Sequence, residues 1–181
     1  MLRMLPVTMV LTLLCLFSLP ADAMAYRAGV FSDGSDSTCI ASSSATVFEQ
    51  FVWAWTPGAQ GMVYVTLRLS FPQNVALRSA PVFDDRVLEV IYTDYPDGSE
   101  EWNLVLADCP TGWIRLFEQE VEVLDGQPSE ITIRGADSWI RDCEFELYRI
   151  DVTGGLRLND PACESVPARE RSWSILKRRY E

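Results

Sequence analysis

Hydrophobic and polar residues alternate along most of this chain with a period of two. The clearest example covers residues 62–71, where one side of the segment is apolar and the other is polar. The apolar side consists of Val63, Val65, Leu67, Leu69 and Phe71, and the polar side of Tyr64, Thr66, Arg68 and Ser70. This alternation is typical of an antiparallel strand that covers a core with one face. The segment therefore predicts a half-buried strand.

Shorter segments with strand-like composition follow one another along the rest of the chain, with no helical periodicity between them. They cover residues 27–31, 47–55, 86–93, 101–107, 113–117, 120–124, 130–134, 144–152 and 156–158. Turn-forming residues separate them, as in the segments 96–98, 110–112 and 125–126. Short strands at this spacing predict one all-β domain over residues 26–163, a single antiparallel β-sandwich of the immunoglobulin-like or jelly-roll kind.

The first 25 residues have the pattern of an export signal. A charge at Arg3 precedes an apolar run over residues 5–19, and Pro20 ends it. Small residues then allow cleavage after Ala23 or Ala25. The apolar run is shorter than the ~20 residues that cross a bilayer. We therefore expect a secreted, periplasmic or cell-envelope protein whose mature chain does not stay inserted in a membrane.

Four of the five cysteines follow the predicted signal: Cys39, Cys109, Cys143 and Cys163. An oxidising compartment outside the cytoplasm would allow them to pair as disulfides. Four cysteines allow three pairings, and the sequence does not choose among them. Their spacing contains no C-x-x-C motif, which argues against a redox or zinc–thiolate site.

The chain is acidic, with 26 Asp and Glu against 15 Lys and Arg and a formal net charge of −11. Nucleic acids attract clustered basic residues, so this balance argues against a nucleic-acid partner. Net charge of this size also keeps an exported protein in solution.

The sequence contains no histidine. This excludes Ser-His-Asp and Cys-His catalysis and the usual zinc sites, and no phosphate-binding or nucleophile motif is present. We therefore predict a protein that is not an enzyme and holds no cofactor. A glycan hydrolase that uses two carboxyl groups is the alternative, and it requires two acids in one cleft, one of them buried. The acids that lie close in sequence are Asp84, Asp85, Asp94, Asp97, Glu100 and Glu101.

A second alternative is a calcium-dependent adhesion module. Asp33 and Asp36 supply two carboxylates within residues 33–37, a run that also contains hydroxyl groups. Such hard oxygen ligands suit calcium, although the spacing does not match the helix–loop–helix pattern. A plain turn is the simpler interpretation of this segment.

Aromatic residues form a row in the predicted strand 47–55. Phe51, Trp53 and Trp55 project to the same side, which could stack on sugar rings or hold a peptide. We favour the interpretation that this side faces the sandwich core. The alternation around Trp102, Trp113 and Trp139 likewise predicts that they point inward.

The last residues, 164–181, differ from the acidic domain because they are predominantly basic. Ser172 is a suitable N-cap for a helix in which Trp173, Leu176 and Tyr180 share one side, followed by Lys177 and further basic residues. This segment predicts a linker and a basic amphipathic helix. Such a helix could be a recognition element for export or envelope machinery, a helix packed on the sandwich, or a frayed tail.

Residues 172–180 resemble the C-terminal ending of uncharacterised exported bacterial β-sandwich proteins. That ending has the form S/T-W-G-x-I/V-K-x-x-Y/F, and Ser172, Trp173, Lys177 and Tyr180 match it. Ser174 replaces the glycine and Leu176 takes the aliphatic position. Two further similarities are the Phe31-Ser32-Asp33 segment before Cys39 and the Gly154-Gly155 turn before Cys163. The resemblance implies a short exported β-sandwich and no particular activity.

These observations favour an exported, disulfide-stabilised binding or structural module without catalytic activity. Its partner would be a protein or a glycan that the sequence does not identify. The residues with a predicted recognition role are Trp173, Leu176, Lys177 and Tyr180.

Overall fold

The computed structural model describes residues 25–32, 38–40 and 46–165, and the regular secondary structure of this part of the chain is almost entirely β-strand. The twelve strands are β1 (Tyr26–Ser32), β2 (Val47–Thr56), β3 (Tyr64–Ser70), β4 (Val75–Leu77), β5 (Val82–Phe83), β6 (Val87–Asp94), β7 (Ser99–Leu106), β8 (Gly112–Val123), β9 (Ser129–Ile133), β10 (Trp139–Arg141), β11 (Leu147–Gly154) and β12 (Leu156–Leu158). Two short 3₁₀ helices cover Gly135–Asp137 and Pro161–Ser165. The predicted signal and the predicted C-terminal helix lie outside the described residues.

The strands form two layers. The back sheet has the order β11–β1–β2–β8, with β4 and β5 paired to the far side of β8. The front sheet has the order β11–β10–β3–β7–β6, and β9 and β12 continue from the end of β3. Strand β11 belongs to both, because residues 147–149 pair with β10 and residues 150–154 pair with β1.

The prediction of a purely antiparallel sandwich is wrong at one place, since β1 and β11 pair in parallel. Alternation reports which face a side chain occupies and carries no information about strand direction, so this pair could not be predicted from it. The other strand pairs are antiparallel, as predicted. No helix in the described part of the chain has the length and apolar character needed to span a membrane.

The core lies between the two sheets. The apolar side of β3 is fully buried at Val65, Leu67 and Leu69, which confirms the clearest prediction from the sequence. The rings of Trp102 in β7 and Phe117 in β8 have centroids 5.2 Å apart, so the two sheets contact each other directly. Burial of this apolar surface is the main favourable contribution to folding.

The tryptophans divide between the core and the outer faces. Trp102 points inward as predicted, but the inward positions of β2 are taken by Val52 and Ala54. Phe51, Trp53 and Trp55 therefore lie on the outer side of the back sheet. The inward prediction is also wrong for two other residues. Trp113 lies opposite Trp55 on this outer side, and Trp139 lies on the outer side of the front sheet, opposite Thr66. Alternation defines two faces of a strand and does not say which is inside, so small side chains took the narrow space between the sheets.

Two disulfides are present, Cys39–Cys163 and Cys109–Cys143, with Cα–Cα distances of 5.5 and 5.9 Å. The first joins the segment after β1 to the 3₁₀ helix that ends the described chain. The second joins the β7–β8 connection to the β10–β11 connection. Both bridges close loops between distant strands, which is the arrangement that most restricts the unfolded chain.

Candidate functional site

The outer side of the front sheet, together with the β10–β11 turn, is the candidate site and is called the front face below. Strand register places alternate residues of five strands on this side. These residues are Glu89, Ile91, Thr93, Tyr64, Thr66, Arg68, Ser70, Ser99, Glu101, Asn103, Val105, Trp139, Arg141, Leu147 and Arg149. The front face therefore combines aromatic, aliphatic and charged side chains on one rigid sheet.

A chain of hydrogen bonds fixes the polar centre of the front face. Asn103 Oδ1 accepts from the Tyr64 hydroxyl at 3.0 Å and from the Thr66 hydroxyl at 2.7 Å. Its Nδ2 donates to Glu101 Oε1 at 3.0 Å, and the Tyr95 hydroxyl donates to Glu101 Oε2 at 3.1 Å. That bond to Glu101 is the main reason why the pKa of Tyr95 is raised. Side chains held in this way lose little further rotamer freedom when a partner binds.

A cluster of charges continues the network toward the β6–β7 turn. The guanidinium of Arg68 lies 3.9 Å from the centre of the Tyr95 ring, and its Nε donates to Ser99 Oγ at 2.9 Å. Asp97 forms ion pairs with Arg68 at 3.3 Å and with Arg134 at 2.8 Å. The Ser99 hydroxyl, the Ser99 backbone N–H and Arg134 all hold the pKa of Asp97 well below its usual range. Asp97 is therefore a charged structural group at the edge of the front face.

The opposite end of the front face is apolar and exposed. Phe145 is 68% exposed and Leu147 is 55% exposed. Ile91, which lies opposite Asn103 on the edge strand β6, is also exposed, at 52%. A groove of about 430 Å³ lies beside Phe145, lined by Val63, Tyr64, Val105, Leu106, Arg141 and Phe145. Surfaces that bind proteins typically combine exposed large apolar side chains with neighbouring polar groups, as this face does.

The β10–β11 turn holds Phe145 in its exposed position. Asp142 is 2% exposed, and its Oδ1 accepts the backbone N–H groups of Glu144 and Glu146, both at 2.9 Å. Phe145 itself has φ +65°, a left-handed conformation that few non-glycine residues adopt. The neighbouring Cys143 is bonded to Cys109. The turn is therefore fixed by a buried carboxylate and a disulfide, and its apolar tip points away from the core.

The sequence prediction missed Phe145 and Leu147 as surface residues because it placed a continuous strand over 144–152. The structure begins β11 at Leu147 instead. The one local signal was Asp142, whose short carboxylate favours a turn in which it accepts backbone N–H groups.

The acidic residues proposed for a hydrolase are only partly brought together. Asp84 forms an ion pair with Arg86, and this hydrogen-bonded pairing lowers the pKa of Asp84. Asp94 and Glu100 lie opposite each other on β6 and β7, and with Asp97 they line a cavity of about 490 Å³ between Phe71 and Leu77.

Glu100 is the buried member of this group. It is 7% exposed, and burial raises its pKa, with a further contribution from Asp94. The Tyr92 hydroxyl and the Trp102 indole oppose that rise. A general acid must come within hydrogen-bond reach of the substrate, and a carboxyl group enclosed by two aromatic side chains is poorly placed for this role. Glu101 lies on the other side of β7, in the front-face network.

Within the described ranges, one group of three potential metal ligands lies close together, Cys39, Asp160 and Cys163. The two cysteines are bonded to each other, so they do not provide the thiolates that bind metals. The calcium candidates Asp33 and Asp36 lie outside the described residues. So do Trp173, Leu176, Lys177 and Tyr180 of the C-terminal segment.

Comparison with solved structures shows the fold. The chain is similar to the cohesin module of a family 33 glycoside hydrolase from Clostridium perfringens, with TM-score 0.56 and 7% identity over 75% of this chain and 94% of the other. It is similar to a type II cohesin from the cellulosome of Acetivibrio cellulolyticus, with TM-score 0.56 and 9% identity over 78% and 99%. The OlpC cohesin of Clostridium thermocellum, solved in a cohesin–dockerin complex, matches with TM-score 0.55 and 12% identity over 74% and 94%. No family model and no curated protein matches the sequence. The chain therefore has the cohesin β-sandwich fold.

Proposed function

We propose that this chain is an exported, non-catalytic module that binds a protein partner through its front face. The observation that carries the proposal is the position of Phe145 and Leu147. Both are large apolar side chains that stay exposed at a turn fixed by Asp142 and the Cys109–Cys143 disulfide. A turn that exposes two such side chains in one fixed conformation is suited to contact with another molecule.

The composition of the front face favours a protein over a glycan. Apolar anchors lie at one end, and the hydrogen-bonded network of Tyr64, Asn103 and Glu101 lies beside them. Protein interfaces combine a few buried apolar or aromatic anchors with a polar rim in this way. Fully burying a side chain such as Phe145 or Leu147 is worth about 1.5–3 kcal/mol. The two anchors could therefore supply a large share of the binding free energy.

The structural comparisons support the same proposal. Cohesins from Acetivibrio cellulolyticus and Clostridium thermocellum with this fold have been solved in complex with dockerins. We extend from those proteins only the class of function, which is protein recognition without catalysis.

Export is the second part of the proposal. It rests on the signal-like pattern of the first 25 residues and is supported by the two disulfides. Disulfides persist in oxidising compartments and are rare in the cytosol. We place the mature protein outside the cytoplasm, either secreted or in the cell envelope.

The test begins with a photo-reactive amino acid at Ile91 in the full chain, which links the front face to its partner in the exported fraction. The partner is then purified, and its affinity is measured for the wild type, for Phe145→Ala with Leu147→Ala, and for Leu124→Ala. Leu124 is a matched control, because it is 59% exposed and lies outside the front face.

We expect the double variant to bind at least tenfold more weakly, since interface anchors typically cost 2 kcal/mol or more when truncated to alanine. The Leu124 variant should bind like the wild type. Equal affinity for all three proteins would refute the front face as the binding surface.

The hydrolase alternative has one observation in its favour, the shared cavity of Asp94 and Glu100. It requires glycan hydrolysis that disappears in Glu100→Gln. The test is to incubate the wild type with a panel of envelope and plant polysaccharides and to look for hydrolysis products. If no polysaccharide is hydrolysed, the hydrolase alternative is refuted.

The calcium-dependent adhesion alternative stays a prediction from the sequence. It requires that a chelator lowers the melting temperature of the wild type. The variant Asp33→Ala with Asp36→Ala should then melt at the same temperature with and without chelator. A wild type insensitive to chelator would end this alternative.

A further inference from the structure

The outer side of the back sheet has an aromatic surface with three buried residues and two half-buried ones, Trp53 and Trp113. Its residues, called the aromatic patch below, are Phe31, Phe51, Trp53, Trp55 and Trp113. Phe31 is 6% exposed, Phe51 is 7% exposed and Trp55 is 8% exposed. The ring of Trp113 lies 6.2 Å from that of Phe31 and 6.5 Å from that of Trp55.

Burial on this side is unexpected for a two-layer fold. The other side of the same strands already faces the core, where Ala28, Val30, Val52 and Ala54 are all fully buried. A sandwich of two sheets normally leaves the outer side of each sheet in contact with water. Every strand in the described part of the chain belongs to one of the two layers, so none of them forms a third layer over the aromatic patch.

We propose that the C-terminal segment 172–180 of the same chain docks on the aromatic patch and forms this third layer. The sequence of the segment predicts a helix with Trp173, Leu176 and Tyr180 on one side. That side matches the patch in chemistry, because both are aromatic and aliphatic. A helix of nine residues is about 13 Å long, enough to cross β1, β2 and β8, which lie about 4.8 Å apart from strand to strand.

The end of the described chain lies close to the edge of the aromatic patch. Cys163 is bonded to Cys39, and Thr38 is the residue before Cys39. The Thr38 side chain lies next to Gly154, since a Cβ atom added to Gly154 would be only 3.1 Å from it. Gly154 pairs with Gly29 of β1, and Gly29 pairs with Trp53. The six residues 166–171 can span up to about 20 Å, so the reach to the patch is short.

Charge favours the same contact. Glu49 and Glu120 lie directly opposite each other on β2 and β8, on the side of the aromatic patch, and both are exposed. Like charges at directly opposed positions destabilise a sheet. The docked segment would bring Lys177, Arg178 and Arg179 to this acidic area. Its basic residues would thereby reduce the repulsion between the two carboxylates.

The experiment measures how fast each tryptophan is oxidised by hydroxyl radicals, read out by mass spectrometry of peptides. Four proteins are compared. They are the wild-type full chain, a shortened variant that ends at Ser165, a triple variant with Trp173→Ala, Leu176→Ala and Tyr180→Ala, and the single variant Ile175→Ala. Ile175 is the matched control, because it is apolar and falls on the opposite side of the predicted helix. Trp102 in the core reports that each variant is folded.

We expect the oxidation rates of Trp53 and Trp55 to rise severalfold in the shortened and triple variants. They should not change in Ile175→Ala, and Trp102 should stay protected throughout. Unchanged rates for Trp53 and Trp55 in the triple variant would overturn the proposal, because another segment would then cover the patch. If the shortened variant does not fold, the triple variant alone decides.

Adding the segment back tests the contact directly. A peptide of residues 166–181 should restore protection of Trp53 and Trp55 in the shortened variant. The same peptide with Lys177→Glu, Arg178→Glu and Arg179→Glu should bind about tenfold more weakly, since three exposed ion pairs together amount to about 1.4 kcal/mol. In the shortened variant, Trp53 and Trp55 could also be protected because two copies form a dimer through their aromatic patches. Adding the peptide should then dissociate that dimer. Failure of the peptide both to protect the patch and to dissociate such a dimer would overturn the proposal.

Discussion

Replacing Gly61 with alanine tests how tightly the chain packs behind the Cys109–Cys143 disulfide. Gly61 has φ +53°, and a Cβ atom added to it would lie 2.6 Å from the carbonyl oxygen of Cys109 and 2.7 Å from the sulfur of Cys143. Gly58 has nearly the same conformation, φ +56°, but a Cβ atom there would have no neighbour within 4 Å. The two glycines therefore share the backbone requirement and differ only in steric crowding.

The expected magnitudes follow from these two contributions. A left-handed backbone costs an alanine roughly 1–2 kcal/mol, and the smaller entropy of the unfolded alanine chain returns about 0.4–1 kcal/mol. Gly58→Ala should thus destabilise the fold by about 1 kcal/mol, near the middle of a range from 0 to about 1.6 kcal/mol. Gly61→Ala adds the crowding against a backbone oxygen and a disulfide, for which overpacking typically costs about 1–3 kcal/mol. Its total should be about 2–4 kcal/mol.

The assay is urea unfolding of both variants and the wild type at neutral pH, followed by circular dichroism. Mass spectrometry first verifies that both disulfides are intact. The free energy of unfolding falls linearly with urea concentration, and an equal slope for the three proteins would show that they unfold from comparable native states. The urea concentrations at the midpoints of unfolding then report differences in stability. Equal destabilisation by the two alanines would refute the argument, because it would mean that the space behind the disulfide accommodates a methyl group freely.

Three further predictions concern the site and its support. Replacing Cys109 and Cys143 with serine should destabilise the fold by about 3.8 kcal/mol in urea unfolding, as expected for a bridge between residues 34 positions apart; a loss below about 1 kcal/mol would contradict this. Asp142→Ala should lower the free energy of unfolding by about 1.5–3 kcal/mol, because it removes a charged acceptor from two backbone N–H groups. The exposed control Asp151→Ala should change it by no more than about 0.5 kcal/mol, and equal losses for the two variants would contradict the role of Asp142. The raised pKa of Glu100 means that the folded wild type retains a proton that the unfolded chain releases, so wild-type stability relative to Glu100→Gln should fall as pH rises above about 4.5. Urea unfolding of both proteins over a series of pH values checks this, and a constant difference in their stability would contradict it.

The sequence was a good guide to strands whose alternation is regular and a poor guide elsewhere. Strand β3 was predicted over 62–71 and runs from Tyr64 to Ser70. Strand β8 was predicted as two pieces, 113–117 and 120–124, but it is continuous from Gly112 to Val123. The prediction divided the strand because β8 has a bulge opposite residues 52 and 53. The register shifts there, and the consecutive residues Leu116 and Phe117 are both fully buried. A bulge interrupts the period of two without ending the strand.

The candidate site depended on features that alternation does not record. The exposed position of Phe145 results from a turn, a disulfide and the carboxylate of Asp142, and these come together only in the folded chain. The pairing of the four cysteines was likewise open, because it depends on which loops lie side by side. The export signal and the nature of the C-terminal segment stay predictions, as both lie outside the described residues.

Strand β11 gives the molecule a particular response to mechanical load. Its first part pairs with β10 and its second part runs parallel to β1, the strand at the start of the domain. If the domain were pulled by Tyr26 and by the chain beyond Cys163, the Cys39–Cys163 bridge would carry the load, because it closes a loop that contains β2 to β12 and keeps tension off them. With the bridge reduced, the load would reach the parallel β1–β11 ladder, and several hydrogen bonds would then have to break together rather than one after another. The resistance of the domain to pulling should therefore differ between its oxidised and reduced states.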